Sequence, residues 1–144
     1  MVRVRDDESR FEAPIDRVWA LVRAHRREMP SIHPTVRNVR IEQVAEGIGL
    51  AVWEMEFLGR PVTMHTRVVQ FPPLGKLIEY LAGPLAGSKE LTFFTPEGDR
   101  TRVTVVGDYR SPTMPDAELA AAVDAWHALE FEEDSAYLRT LGGA

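Results

Sequence analysis

Cysteine is absent from the 144-residue sequence, and lysine is scarce. Without thiols the chain can form no disulfide, no thiolate nucleophile and no cysteine-ligated metal or iron–sulfur site. Lys76 and Lys89 are the only lysines, so arginine supplies nearly all of the positive charge. The net charge of -5 argues against a nucleic-acid-binding protein, which would normally carry a basic patch.

Long hydrophobic runs are missing as well. No stretch approaches the roughly 20 apolar residues that a membrane-spanning helix needs. The charged N-terminal segment "MVRVRDDESR" does not resemble a secretory signal, and we therefore expect a cytoplasmic protein. The length and a hydrophobic content of 44% predict one globular domain, residues 1–144, with a sizeable core.

Proline and glycine divide the chain into secondary-structure elements. Residues 2–12 have a strand pattern, and Pro14 then stands where the first turn of a helix tolerates a missing N–H. The helical spacing should end before Pro30, and "MPSIHP" predicts a second short helix or turn. About six further strand patterns follow, with turn signals between them that favour antiparallel hairpins. These patterns cover residues 36–46, 49–58, 61–71, 76–82, 89–95 and 100–110.

The last segment changes to a helical period. Pro115 and Asp116 mark its start, Gly142 marks its end, and several alanines raise its helix propensity. A helix of this length must bury its apolar stripe against a surface of similar length, and the antiparallel sheet has one face to bury. The order of elements therefore predicts an α+β layer arrangement.

The junction between the first strand and the first helix, "FEAPIDRVW", resembles the START/Bet v 1-like superfamily, also called the polyketide cyclase/dehydrase and lipid transport group. The most specific residues are Ala13, Pro14, Val18 and Trp19, and "MPSIHP" is similar to the family's short second helix. The resemblance implies a helix-grip fold, in which a curved antiparallel sheet of about seven strands wraps around the long C-terminal helix. One or two short helices would follow the first strand, and a cavity would lie inside. Because the superfamily has no universal catalytic motif, the resemblance implies fold more strongly than chemistry.

Strand alternation predicts which side chains face that cavity. A two-residue turn at Gly59 and Arg60 would pair Leu58 with Pro61 and place Glu54 opposite His65 on the outer face. The inward set would then be Trp53, Met55, Phe57, Val62, Met64 and Thr66, joined from the last strand by Val103, Val105, Gly107 and Tyr109.

Two strands leave a choice of face. In the strand over residues 89–95 we favour Leu91 and Phe93 as inward, with Phe94 competing. In the strand over residues 76–82 we favour Ile78, Tyr80 and Ala82, since an inward Glu79 would need a partner. Gly107 interrupts a good strand, which indicates either close packing of the long helix or a site that eases sheet curvature.

The four histidines give no metal-binding spacing such as i, i+4 on one helix, so no metal or other cofactor is predicted. His25 should lie near the end of the first helix, where a cation suits the dipole. His65 should lie on the surface, and the direction of His127 is open. His33 falls near the expected cavity mouth and is a candidate catalytic residue.

The carboxylate run "EFEEDS" on the last helix is read in two ways. It is either a solvated helix face or a stripe that brings Glu130 toward the sheet, where desolvation would raise its pKa. In the second case Glu130 and an inward Tyr109 could form an acid–base pair.

We therefore expect a protein that binds a small hydrophobic ligand, lipid- or polyketide-like, in an internal cavity. The alternatives are a cyclase or dehydratase using Glu130, Tyr109 and His33, and an accessory protein whose apolar groups bind a partner. Whether the chain is an enzyme, which ligand it binds and whether it forms a homodimer are left open. The predicted ligand-binding residues are Trp53, Met55, Phe57, Met64, Thr66, Tyr80, Phe93, Val105, Tyr109, Trp126 and Glu130.

Overall fold

A computed structural model describes residues 1–142 and contains seven strands and two helices. In chain order the elements are β1 (Val2–Phe11), α1 (Ile15–Ile32), β2 (Arg37–Ala45), β3 (Ile48–Phe57), β4 (Arg60–Phe71), β5 (Gly75–Ala82), β6 (Lys89–Glu97), β7 (Arg100–Tyr109) and α2 (Asp116–Leu141). The strands form one antiparallel sheet in the order β1-β7-β6-β5-β4-β3-β2. The predicted α+β helix-grip architecture is confirmed.

One face of the sheet packs against α2. Leu119, Ala122, Val123 and Trp126 of this helix share an apolar cluster with inward side chains of β3, β4, β5 and β7. Farther along α2, Leu138 packs instead into a second cluster with α1 and the end of β1. Between these two contacts the middle of α2 faces a hollow interior. Within residues 1–142, neither helix combines the length and apolar character needed to cross a membrane.

The first helix begins after Pro14, as the sequence predicts, and it is kinked. Glu28 has non-helical dihedrals (φ -128°, ψ 22°), so the final turn, which contains Pro30, starts in a new direction. The proline thus occupies the beginning of a short second segment, where its missing N–H costs little. Trp19 is buried on the first segment, where its Nε1–H donates to the Pro73 carbonyl at 3.0 Å.

The hairpin between β3 and β4 differs from the prediction in its register. The turn residues are Leu58 and Gly59, both with positive φ (54° and 71°), as a type I′ turn requires, and Phe57 pairs with Arg60. The register is shifted by two residues from the predicted one, and an even shift leaves each side chain on its predicted face. The predicted pair of Glu54 and His65 is wrong: the partner of His65 is Val52, that of Glu54 is Thr63, and the Glu54 carboxylate accepts a hydrogen bond from Asn38.

The predicted orientation of β6 is wrong. Phe93 is 38% exposed on the outer face, where it meets Phe71 edge to face, whereas Phe94 is buried against Trp19. The same inward face carries Thr92 and a carboxylate, Glu90. The more apolar face of β6 therefore does not turn inward. The buried charge of Glu90 is compensated by a partner inside the protein, His127.

The remaining strand assignments give mixed results. Ile78 and Tyr80 point inward as expected, and Glu79 pairs with Arg67 on the outer face, but Ala82 is exposed at the strand end. Gly107 makes a close approach to a side chain of its own strand rather than to the long helix. A Cβ at this position would lie 2.7 Å from the Tyr109 ring, so the glycine makes room for that side chain.

Candidate functional site

A cavity of about 1470 Å³ lies between the inner face of the sheet, α1 and α2. It exceeds the roughly 300–1,000 Å³ of common ligand pockets because it opens to solvent at one side. Exposed residues bound this mouth, namely Arg26 and Arg27 on α1, Leu58 and Gly59 in the β3–β4 turn, and Leu129 on α2.

Large aromatic side chains form much of the cavity wall. Trp126 on α2 meets Phe57 and Tyr80 edge to face, with ring centroids 5.8 and 6.1 Å apart. Trp53 extends the wall along β3, and its indole N–H donates to the Met55 sulfur at 3.4 Å. The ring contacts connect α2 to β3 and β5 along the cavity wall.

The predicted ligand-binding residues fall into three groups. Met64, Thr66 and Tyr109 point inward but are fully packed in the core, where the Thr66 hydroxyl donates to the Ala51 carbonyl. Phe93 lies on the outer face and does not reach the cavity. The residues that line the cavity are Trp53, Met55, Phe57, Tyr80, Val105, Trp126 and Glu130.

The polar side of the cavity wall contains a histidine cluster, formed by His25, His33, Glu130, Glu133 and Asp134. The two imidazole Nε2 atoms are 3.1 Å apart, and each lies 3.3 Å from Asp134 Oδ1. Glu133 Oε1 lies 3.2 Å from His33 Nδ1, and Glu130 Oε2 lies 3.9 Å from His33 Nε2. His33 is 5% exposed, so the cluster concentrates charge in a region with little water.

Burial and neighbouring charges shift the pKa values of this cluster in different directions. Burial lowers the pKa of His33, but hydrogen bonding to Asp134 and the charges of Glu130 and Asp134 prevail and raise it to about 9. Burial raises the pKa of Asp134, but its two histidine neighbours hold it well below the ordinary range. For Glu130, burial prevails over the attraction of His33 and raises the pKa to about 7. The Glu130 side chain remains 35% accessible and faces the cavity, so water in the cavity moderates this upward shift of its pKa.

A second polar group crosses the interior between the sheet and α2. His127 Nε2 lies 2.9 Å from Glu90 Oε1 and 3.0 Å from the Tyr109 hydroxyl. Burial lowers the pKa of His127, but Glu90 prevails and raises it. Burial raises the pKa of Glu90, but His127 prevails and lowers it. We call these two side chains the Glu90–His127 pair.

Burial also raises the pKa of Tyr109 far above its usual value, so its hydroxyl stays protonated.

These contacts test several expectations from the sequence. The proposed acid–base pair of Glu130 and Tyr109 is not formed, because Tyr109 bonds His127 and Glu130 lies nearest to His33. His25 lies three residues before the kink at Glu28, near the end of the first helical segment as expected, and it meets His33 across the kink. Strand alternation could have revealed Glu90, which shares a face with Thr92 and Phe94, had Phe94 been chosen as inward.

Comparisons with known proteins agree on family and fold. The family described as polyketide cyclase/dehydrase and lipid transport matches residues 1–140. A search of curated protein sequences finds no match. The chain is similar in structure to the Zhui aromatase/cyclase from Streptomyces sp. R1128, with a TM-score of 0.84 and 15% identity over 97% of this chain and 95% of that one. It is also similar to a START superfamily protein from Mycobacterium smegmatis (TM-score 0.76, 16% identity, 96% and 98% covered) and to Ara h 8.0201 (TM-score 0.75, 12% identity, 96% and 98% covered).

Proposed function

Because the chain belongs to the polyketide cyclase/dehydrase and lipid transport family, we propose that it binds a small hydrophobic molecule, lipid- or polyketide-like, inside its cavity. The observation that carries this proposal is the aromatic-lined hollow of about 1470 Å³ beneath α2. A monomeric protein normally fills its interior to the density of an organic crystal, so an apolar space of this size is costly unless a ligand occupies it.

The wall suggests how a ligand would be held. Trp53, Tyr80 and Trp126 offer flat apolar surfaces, and burying ligand hydrocarbon against them contributes about 25 cal/mol per Å² removed from water. The histidine cluster lies in the same wall and offers hydrogen-bonding groups for one polar end. A flat polycyclic or long-chain molecule with one oxygenated end fits this distribution of apolar and polar surface.

A large side chain placed in the cavity should weaken binding. We expect Val105→Trp, which places an indole in the cavity, to weaken binding of the fluorescent probe anilinonaphthalene sulfonate at least about tenfold. The matched control is Val106→Trp, one residue along β7 and exposed on the outer face. Fluorescence titration gives both dissociation constants, and far-UV circular dichroism checks that each variant is folded. Equal affinity in the two variants would mean that the probe binds elsewhere.

Catalysis of a cyclisation or dehydration is the second candidate function, and the position of Glu130 favours it. Its carboxylate faces the cavity one helical turn from His127 and 3.9 Å from His33 Nε2. Carboxylate and imidazole groups beside an apolar cavity could move protons on a reactive chain that is held away from water. The structural similarity to an aromatase/cyclase agrees with this candidate.

The two candidates predict different behaviour for Glu130→Gln. If the protein is an enzyme, this isosteric change should lower turnover of a polyketide-like substrate by about 100-fold or more, while probe affinity changes less than about threefold. If it only binds and carries its ligand, no turnover should be measurable in the wild type. Leu129→Gln, at the adjacent exposed position, is the control for a change of polarity at the mouth. Wild-type turnover that survives in Glu130→Gln would exclude this carboxylate as the catalytic group.

A further inference from the structure

We propose that His25, His33 and Asp134 form a binding site for a divalent first-row transition-metal ion in the cavity wall. Their ligand atoms, two Nε2 and one Oδ1, converge with mutual distances of 3.1, 3.3 and 3.3 Å. Ligands bound at 2.0–2.2 Å in tetrahedral geometry lie about 3.3–3.6 Å from one another. The three atoms are thus spaced like one face of a tetrahedral metal site.

The contacts of the two Nδ1 atoms also agree with a role of both imidazoles as metal ligands. His25 Nδ1 lies 2.8 Å from the Leu21 carbonyl, and His33 Nδ1 lies 3.2 Å from Glu133 Oε1. A carbonyl and a carboxylate can only accept, so this network assigns the hydrogen to each Nδ1 and leaves an Nε2 lone pair facing the common centre. Histidine ligands of metals are typically oriented by such contacts on their second nitrogen.

The centre of the cluster lacks a donor. Asp134 Oδ1 is buried and has no hydrogen-bond partner among residues 1–142, although both Nε2 atoms lie within 3.3 Å. Without positive charge between them, two imidazole lone pairs and a carboxylate oxygen would repel one another, and either a proton on one Nε2 or a metal ion can supply that charge. A single proton would form one linear hydrogen bond and leave the third atom unpaired, whereas a metal ion satisfies all three at once.

The fold creates this site by means of the α1 kink. In an unbroken α-helix, residues eight positions apart would be separated by about 12 Å along the axis. The break at Glu28 turns His33 back toward His25, and α2 supplies Asp134 from the opposite side. Two imidazoles and a carboxylate suit Zn²⁺ or Fe²⁺, with the remaining coordination position open to water, to Glu130 or to an oxygen atom in the cavity. The site does not depend on the proposed hydrophobic ligand.

Titration of untagged, chelator-treated protein with Co²⁺ tests the site, because tetrahedral Co²⁺ absorbs visible light. We expect one Co²⁺ per chain, displaced by Zn²⁺, and a rise in Tm with Zn²⁺. His25→Gln, His33→Gln and Asp134→Asn should each weaken binding at least about 100-fold. The control variant His65→Gln, on the outer face of the sheet, should bind like the wild type.

Two results would overturn the site: absence of the absorption band and of the Tm shift in the wild type, or undiminished binding in all three ligand variants. The first of these would mean that a shared proton holds the cluster together. If the variants do not fold, Cu²⁺-loaded wild-type protein still decides the question by electron paramagnetic resonance. Hyperfine coupling to two imidazole nitrogens is expected, and its absence would refute the proposal.

Discussion

Replacing His127 with leucine is expected to lower the free energy of unfolding by about 3–5 kcal/mol. Glu90 is only 9% exposed, and its carboxylate has His127 Nε2 as its partner at 2.9 Å. The variant would leave a charged group in the interior with only the Tyr109 hydroxyl and the charge of Lys76 to offset its burial, and this desolvation is what costs stability. Urea denaturation followed by circular dichroism measures the loss.

The double variant Glu90→Met, His127→Leu separates this explanation from a simple packing defect. Removing both charges should recover most of the stability, because an apolar pair of similar volume costs little in a buried position. His65→Leu, on the outer face, should change stability by less than about 0.5 kcal/mol. A double variant as unstable as the single one would show that the Glu90–His127 pair is not the source of the effect.

The same pair gives stability a defined pH dependence. The folded pKa of His127 is raised above its ordinary 6.5, so its contribution is complete below pH 6.5 and is lost as pH rises through the raised value. The folded pKa of Glu90 is lowered from its ordinary 4.5, so its contribution is complete above pH 4.5 and is lost as pH falls through the lowered value. The difference in unfolding free energy between the wild type and the double variant should therefore be most favourable to the wild type between pH 4.5 and 6.5.

The second large effect contrasts two methionines on the same face of the sheet. Met64 is fully buried and packed on all sides, whereas Met55 lines the cavity. Met64→Ala should cost stability near the upper end of about 2–5 kcal/mol, because it removes contacts and leaves a new void. The stability loss of Met55→Ala should lie near the lower end of that range. One side of Met55 already faces the cavity, and truncating the side chain only enlarges that space.

Chemical denaturation of both variants gives these two values. The Trp53 indole N–H loses a weak acceptor in Met55→Ala, but cavity water can replace it. An equal cost at the two positions would indicate that the space beside Met55 is filled in solution, which would argue against a ligand cavity.

The sequence predicted most of the fold because strands, turns and helix ends are encoded locally. Pro14 and Pro115 precede the two helices, as expected. The β3–β4 turn was misplaced by one residue, since Gly59 fits either position of a two-residue turn and only the structure shows that Leu58 also has positive φ. Because the resulting shift is even, the inward assignment of Trp53 and Met55 was still confirmed.

Much of the polar site could not be predicted, because it depends on contacts between distant segments. Pro30 predicts a break in α1, but no local pattern shows that the break brings His25 to His33, or that Asp134 meets them from α2. Phe93 was assigned to the wrong face because adjacent phenylalanines leave the alternation ambiguous, and the partner that lets Glu90 turn inward, His127, lies 37 positions away in the chain.

The central claim is that the space between the sheet and α2 is hollow and accepts an apolar molecule. A crystal structure of the protein with bound anilinonaphthalene sulfonate tests it most directly. We predict the probe inside the cavity, in contact with Trp53, Tyr80 and Trp126. An interior closed by those side chains, with the probe on the outer surface, would contradict the claim.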